Sequence, residues 1–252
     1  MHIDLNSDLG ESFGHWTIGQ DEAMLQVVSS ANIACGFHAG DPSVMRKTVQ
    51  LAKINSVSIG AHPGYADLRG FGRIDLNLPL ATIRDDVLYQ LGALAAICKA
   101  EGTGLAYVKP HGALYNRMVK DKAVAQAVVE AVASFDQKLP LLVLAGSWVE
   151  EEATELGLPF KREAFIDRAY LANGQLQSRL EPGSVIQDAH LAAERALQLV
   201  ETGMLPAIDG TVLRLKPDSL CIHGDTPAAL SMAKAVRVRL EQAGIEIRPF
   251  IG

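Results

Sequence analysis

The sequence predicts a one-domain α/β fold built on a parallel sheet, either a closed (β/α) barrel or an open doubly wound sheet. Three observations predict it. Short apolar runs alternate with longer amphipathic ones along the whole chain, the pattern of repeated right-handed βα units. The length of 252 residues is that of an ordinary α/β barrel, typically about 250. No Pro/Gly/Ser-rich linker, charge block or low-complexity tract divides the chain, so residues 1–252 are read as one domain.

The strands expected from the apolar runs are 2–6, 31–35, 57–61, 105–109, 141–145, 160–165 and 219–222. Between them helical patterns run over 21–28, 42–54, 80–100, 122–135, 148–156, 189–200 and 227–243. Asp41-Pro42 and Thr226-Pro227 supply an N-cap followed by proline at the first helical position. Gly102, Gly157, Gly203 and Gly244 stand where a helix ends in a left-handed residue. The stretch 205–213, with Asp209-Gly210 between apolar residues, predicts a hairpin inserted before the last strand.

Composition excludes several function classes. Hydrophobic residues at 48% and charged residues at 21% fit a folded core, not disorder. Lys plus Arg is 23 against 29 for Asp plus Glu, a net charge of -6, so no basic footprint for nucleic acid or an anionic membrane exists. No apolar run reaches the roughly 18–20 residues of a bilayer span, and Met1 to Asp8 lacks a secretory core. Cys35, Cys98 and Cys221 are too few and scattered for a disulfide framework or a CxxC zinc site. Buried thiols and a cytoplasmic location are the expectation.

Polar residues gather where the strands end. Asp8 and Glu11 follow the first strand, His38 and Asp41 the second, His62 and Asp67 the third. Lys109 and His111 close the fourth; Glu163, Asp167 and Arg168 the sixth; His223 and Asp225 follow the seventh. In parallel α/β architectures the carboxyl ends of the strands share one face, where active sites are built. Each residue alone has a bland reading: a loop histidine is more often structural, and Asp41 and Asp225 precede helices they could merely cap. Their coincidence at four histidine-bearing strand ends favours a site. His2, His15 and His190 have no such support.

The usual phosphate loops, GxGxxG, GxSxG and HExxH are all absent. Histidines and carboxylates on such a rim suit a divalent metal that activates water, or metal-free acid/base attack on an acyl or imidate carbon. Asp8, His38 and His62 could supply three metal ligands.

At these residues the chain resembles the LamB/YcsF family, the first of the three components of bacterial ATP-dependent 5-oxoprolinase. The matching segments are Asn6-Ser-Asp-Leu-Gly-Glu11, Ala31-Asn-Ile-Ala-Cys-Gly-Phe-His-Ala-Gly-Asp-Pro42, Ile59-Gly-Ala-His-Pro-Gly-Tyr65, Val108-Lys-Pro-His-Gly-Ala-Leu-Tyr-Asn116, Glu163-Ala-Phe-Ile-Asp-Arg-Ala-Tyr170 and Cys221-Ile-His-Gly-Asp-Thr-Pro227. The resemblance implies a seven-stranded (β/α) barrel related to the metal-dependent polysaccharide deacetylases. It also implies a reaction: 5-oxo-L-proline, ATP and water give L-glutamate, ADP and phosphate, with partner subunits B and C. ATP would be a co-substrate of the complex, with phosphorylation left to the partners. The expected catalytic set is Asp8, Glu11, His38, His62, His111 and His223. Asn6, Asp41, Lys109, Asp167, Arg168 and Asp225 are the expected substrate-binding set. Asp8 is expected as base with Glu11 second, a histidine as acid, and Lys109 as donor to an anionic intermediate. Two rivals stand beside this reading: a stand-alone metal-dependent deacetylase, and a non-catalytic subunit that traps the lactam.

Overall fold

The computed structural model describes residues 1–225 and 228–251. In chain order the elements are β1 His2–Leu9, α1 Asp21–Met24, β2 Ser30–Ala34, α2 Pro42–Ile54, β3 Ser58–His62, α3 Leu80–Ala100, β4 Tyr107–Val108, α4 Gly112–Lys120 and α5 Lys122–Phe135. They continue with β5 Leu141–Leu144, α6 Trp148–Leu156, β6 Phe160–Phe165, α7 Ala189–Thr202, β7 Met204–Pro206, β8 Val212–Arg214, β9 Ser219–Cys221, α8 Ala229–Gln242 and β10 Glu246–Ile247. Seven parallel strands run in the order β1-β2-β3-β4-β5-β6-β9, and β9 pairs back onto β1, with Asp4 opposite Ser219 and Asn6 opposite Cys221. The sheet is a closed barrel. β10 adds to the amino end of β1, and β7–β8 form the expected antiparallel hairpin.

The helices form the outer shell. They bury one apolar stripe each, such as Met45, Val49 and Ala52 of α2 or Val124, Val128 and Val132 of α5. Asp41 caps α2 as expected, its carboxylate accepting the Ser43 and Val44 N–H groups. Several sequence expectations shift: the helix expected over 21–28 forms only at Asp21–Met24, and the strand expected over 105–109 only at Tyr107–Val108. β1 runs three residues beyond the expected 2–6, so Asp8 lies on the strand and not after it. Helix α4 occupies a stretch without an expected helix, because it is short, begins at Gly112 and shares Asp121 with α5 as its boundary. The expected helix start at Thr226-Pro227 lies outside the described residues.

The lumen is unusual for a barrel, whose interior is normally filled by branched apolar side chains. In β1 the residues Asp4, Asn6 and Asp8 alternate with Ile3, Leu5 and Leu9, and the period of two sends the polar set inward. Asn6 donates to Ser219 Oγ at 2.7 Å and accepts from Asn32 at 2.8 Å. Tyr107 reaches from β4 across β3 to donate to Asn32 at 2.6 Å. Its ring lies over Gly60, where a Cβ would stand 2.3 Å from it, so only glycine lets the ring pass. Phe250 closes the amino end of the barrel against the same ring, with centroids 5.0 Å apart.

Asp4 lies fully buried at the base of this ladder and accepts hydroxyl hydrogen bonds from Ser29, Ser30 and Ser219. Burial pushes its carboxyl up to about 6, against the pull of those hydroxyls. The folded-state value lies above the unfolded 3.8, so the fold holds this proton more tightly. The stability Asp4 contributes is therefore full below pH 4 and declines as pH rises towards 6, by about 3 kcal/mol. Asp4→Asn should remove that decline. Urea unfolding at pH 4 and pH 7 checks it: wild type should lose about 2–3 kcal/mol relative to the variant, and parallel pH curves would refute it.

Candidate active site

At the carboxyl end of the barrel the strand ends deliver three groups of side chains. The first is centred on Lys109, which extends the polar ladder upward. Its buried ammonium lies 3.1 Å from Asn6 Oδ1, 3.3 Å from Asp8 Oδ1, 3.0 Å from Cys221 Sγ and 3.0 Å from Glu163 Oε2. Burial opposes its charge, but Asp8, Cys221 and Glu163 hold its pKa well above the ordinary lysine range. Burial likewise opposes ionisation of Asp8, yet the His62 and Lys109 charges keep that carboxyl well below its usual range. Asn32 adds a hydrogen bond to Asp8 at 2.8 Å. The result is a fixed ion pair, desolvated and satisfied.

The second group contains Glu11, His38, His62 and His111, all buried, with one donor atom from each lying within 4.8 Å of the others. Two backbone carbonyls orient the rings. His62 Nδ1 sits 2.6 Å from Lys109 O, and His111 Nε2 sits 2.9 Å from Phe71 O. A carbonyl can only accept, so each of these nitrogens carries hydrogen. The opposite nitrogens, His62 Nε2 and His111 Nδ1, then face each other at 3.0 Å, with Asp8 Oδ1 3.4 Å from His62 Nε2. They are joined either by a proton on His62 Nε2, which puts a charge beside Asp8, or by a metal ion. Glu11 Oε1 is 3.6 Å from His111 Nδ1 and 3.3 Å from His38 Nε2, and the His38 ring stacks on His111 at 3.8 Å. This His/Glu cluster is a candidate metal site. Burial, reinforced by Asp8, pushes the Glu11 carboxyl well above its ordinary range. Burial and neighbouring histidines push His38 and His111 well below theirs. Gly72, at φ +63°, lets the backbone close over His38 and His111, since a Cβ there would stand 2.7 Å from the His38 Cβ and from the His111 ring.

The third group is a dyad. His223 Nδ1 lies 2.7 Å from Asp167 Oδ2, and the same oxygen accepts the His223 backbone N–H at 3.2 Å. An ionised carboxylate only accepts, so Nδ1 carries hydrogen and Nε2 keeps the lone pair. Despite burial, His223 holds Asp167 below the usual range. The His223 ring rests on Phe165, centroids 5.4 Å apart.

These groups open on one cavity of about 560 Å³, with Asp8, His62, Lys109, His111 and His223 among its lining residues. The LamB/YcsF family model matches residues 3–252. The chain belongs to the LamB/YcsF family. It is 51% identical over 250 residues to a 5-oxoprolinase component of Pseudomonas syringae pv. tomato, covering 99% of this chain and 98% of that one. It is also similar to the crystal structure of a lactam utilization protein from Thermus thermophilus, at TM-score 0.94 and 50% identity over 98% of this chain and 99% of that one. A family 4 carbohydrate esterase from Streptomyces lividans shares the barrel alone, at TM-score 0.51 and 11% identity over 98% of this chain and 91% of that one.

In this LamB/YcsF chain most of the expected site residues converge, though not all in one role. Glu11 and His38 stand behind His111, and Asp167 behind His223. Asn6 sits beneath Lys109 in the lumen. Arg168 lines the cavity but spends its hydrogen bonds on the carbonyls of Gln177 and Ser184, tying down the segment that follows β6. Asp225 pairs with Arg73. Asp41 caps α2 and holds the Gly14 N–H, away from the cavity lining. Asn32, Arg73 and Arg179 belong here too without being expected from the sequence. Asn32 had a signal, as a polar residue within an otherwise apolar strand; the two arginines had only their loops.

Proposed function

We propose that this chain is the lactam-opening subunit of an ATP-dependent 5-oxoprolinase, converting 5-oxo-L-proline to L-glutamate in the cytoplasm together with partner subunits B and C. The observation that carries the reading is the meeting, at one cavity, of a buried cation, a proton-holding carboxyl and an oriented imidazole. The names of the relatives, a 5-oxoprolinase component and a lactam utilization protein, support the same substrate class. A five-membered lactam is a resonance-stabilised amide, and ATP used by the complex would activate it by phosphorylating its oxygen, so that C–N cleavage leaves an acyl phosphate which a second water splits to glutamate and phosphate. The chain's lack of a phosphate loop fits phosphoryl transfer on the partners.

Hydrolysis needs a base for water, charge stabilisation at the lactam oxygen and a proton for the leaving nitrogen. His223, oriented by Asp167, takes the proton from water as its oxygen bonds to the ring carbon. Lys109 faces the negative charge that develops on the former carbonyl oxygen. When the C–N bond breaks, Glu11 supplies the proton to nitrogen by way of His111 Nδ1, which its carboxyl faces at 3.6 Å. This exchanges the roles expected of the carboxylates. Asp8, held ionised, is a weak base and serves as the fixed counter-charge of Lys109, while Glu11 holds the proton that an acid must donate.

The facing nitrogens of His62 and His111, with Glu11 and His38 Nε2, fit a divalent ion. Bound there, such an ion would act as a Lewis acid at the lactam oxygen. The same donors favour the second reading, a metal-dependent deacetylase. Titration of chelator-treated protein with Zn²⁺ separates the occupants: one ion per chain marks the metal, none leaves a shared proton. The function itself is tested by turnover of 5-oxoproline with ATP and subunits B and C, with and without this chain. Glutamate should form only in the full mixture. Equal turnover without this chain overturns the proposal, and deacetylation by this chain alone establishes the rival.

A further inference from the structure

At the cavity mouth, beside the Phe71 ring that borders His38 and His111 and two residues beyond His223, two guanidinium groups approach one carboxylate. Arg73 Nη2 lies 2.5 Å from Asp225 Oδ2, and Arg179 Nη1 lies 3.8 Å from the same oxygen. Both arginines line the cavity. Each guanidinium carries five N–H donors in a planar fork that matches a carboxylate. Among the described residues the Arg73 guanidinium donates one hydrogen bond, to Asp225, and the Arg179 guanidinium donates none. Arg168 adds a third positive charge nearby; burial first, and Arg179 next, push it down to about 10. Asp225 and Asp167 are the two carboxylates that face these three guanidinium groups, so the cations outnumber them. An arginine serving only to hold the fold spends its donors on the chain, as Arg168 does on two carbonyls.

We infer that Arg73 and Arg179 form a subsite for the carboxylate that 5-oxoproline carries beside its ring nitrogen, with Asp225 as the placeholder that keeps the fork in position. The inference rests on the lactam reading for the identity of the ligand, and on geometry alone for the anion. Phe165, Leu171 and Leu176 give the cavity an apolar lining that suits the methylene groups of the ring. A substrate anchored by its carboxylate at the mouth presents its amide to the interior groups. Arg73 and Arg179 are then binding and positioning residues: they select lactams with a carboxylate and do not touch the reacting atoms.

Calorimetric titration of the purified chain tests this, with 5-oxo-L-proline against 2-pyrrolidone, the same ring without the carboxylate. Wild type should bind 5-oxoproline at least ten times more tightly. Arg179→Gln and Arg73→Gln should erase most of that preference while leaving 2-pyrrolidone affinity unchanged. Arg179 is partly exposed and holds no hydrogen bond of the described fold, so its variant is tested even if Arg73→Gln unfolds. Asp225→Asn removes the competing charge and should tighten 5-oxoproline binding, a gain no loss of structure would produce. Wild-type preference in Arg179→Gln, or weaker binding in a folded Asp225→Asn, overturns the subsite. If wild type binds neither lactam, the lactam reading fails for the isolated chain, and glutarate decides the anion site. Glutarate binding lost in Arg179→Gln upholds it; no glutarate binding by wild type overturns it.

Discussion

Asp8→Asn should lower 5-oxoproline turnover in the three-subunit mixture by about 100-fold or more, with the fold intact. The substitution keeps the shape and removes one charge. Asn32 can still bond to the new side chain, since its amide lies 2.8 Å from the oxygen that remains. Lys109 is affected differently. Its pKa stands high because Asp8, Cys221 and Glu163 together outweigh burial. Without Asp8 a buried ammonium has lost an ionised partner, and an uncompensated buried charge is costly. The ammonium then shifts towards its neutral form, and the positive charge facing the developing oxyanion weakens. The same charge also raises Glu11, so the proton reserve behind His111 is loosened by the same substitution. Turnover at the wild-type rate by a folded Asp8→Asn protein would remove Asp8 from the mechanism, both as fixed charge and as base. Thermal melting of the variant supplies the fold control.

The rim of the barrel was legible in the sequence because strand ends are local features. The His-Pro and His-Ala-Gly segments end apolar runs, and parallel topology alone brings such ends to one face. Helix α2 was legible to the residue because Asp41-Pro42 announces its start. The division of labour between Asp8 and Glu11 was not. They stand three residues apart, yet one projects from β1 into the lumen beside Lys109, and the other lies beyond the strand against His38, with no lysine beside it. Only the closed barrel decides which carboxylate meets the ammonium. The arginine fork was hidden for a similar reason. Arg73 and Asp225 are 152 residues apart, and the loops that carry them meet only after β9 has paired with β1. The lumen itself could have been read from the alternation of Asp4, Asn6 and Asp8, but β1 looked shorter because its polar half does not resemble a buried strand.

The dyad offers the other large effect. His223→Gln should cost about 10²–10⁴-fold in turnover, the usual contribution of a positioned base. Asp167→Asn should cost nearly as much for a different reason. The Asp167 oxygen at 2.7 Å requires hydrogen on His223 Nδ1 and leaves Nε2 free to accept. An Asn side chain can keep its oxygen on both His223 N–H groups, since one Asp167 oxygen accepts both, so the tautomer survives. What is gone is the negative charge that stabilises the imidazolium formed when Nε2 takes the proton from water. The ring stays in place on Phe165, so substrate affinity should change little while kcat falls. Because the two residues act as one unit, their losses should not add. The double variant should be no slower than His223→Gln alone, where independent roles would multiply the two losses. A fully multiplicative cycle would separate Asp167 from His223 and leave it a structural acid beneath the loop. A folded His223→Gln protein with undiminished kcat would move the base elsewhere, and Glu11, the other carboxyl beside the site histidines, would be the residue to test in its place.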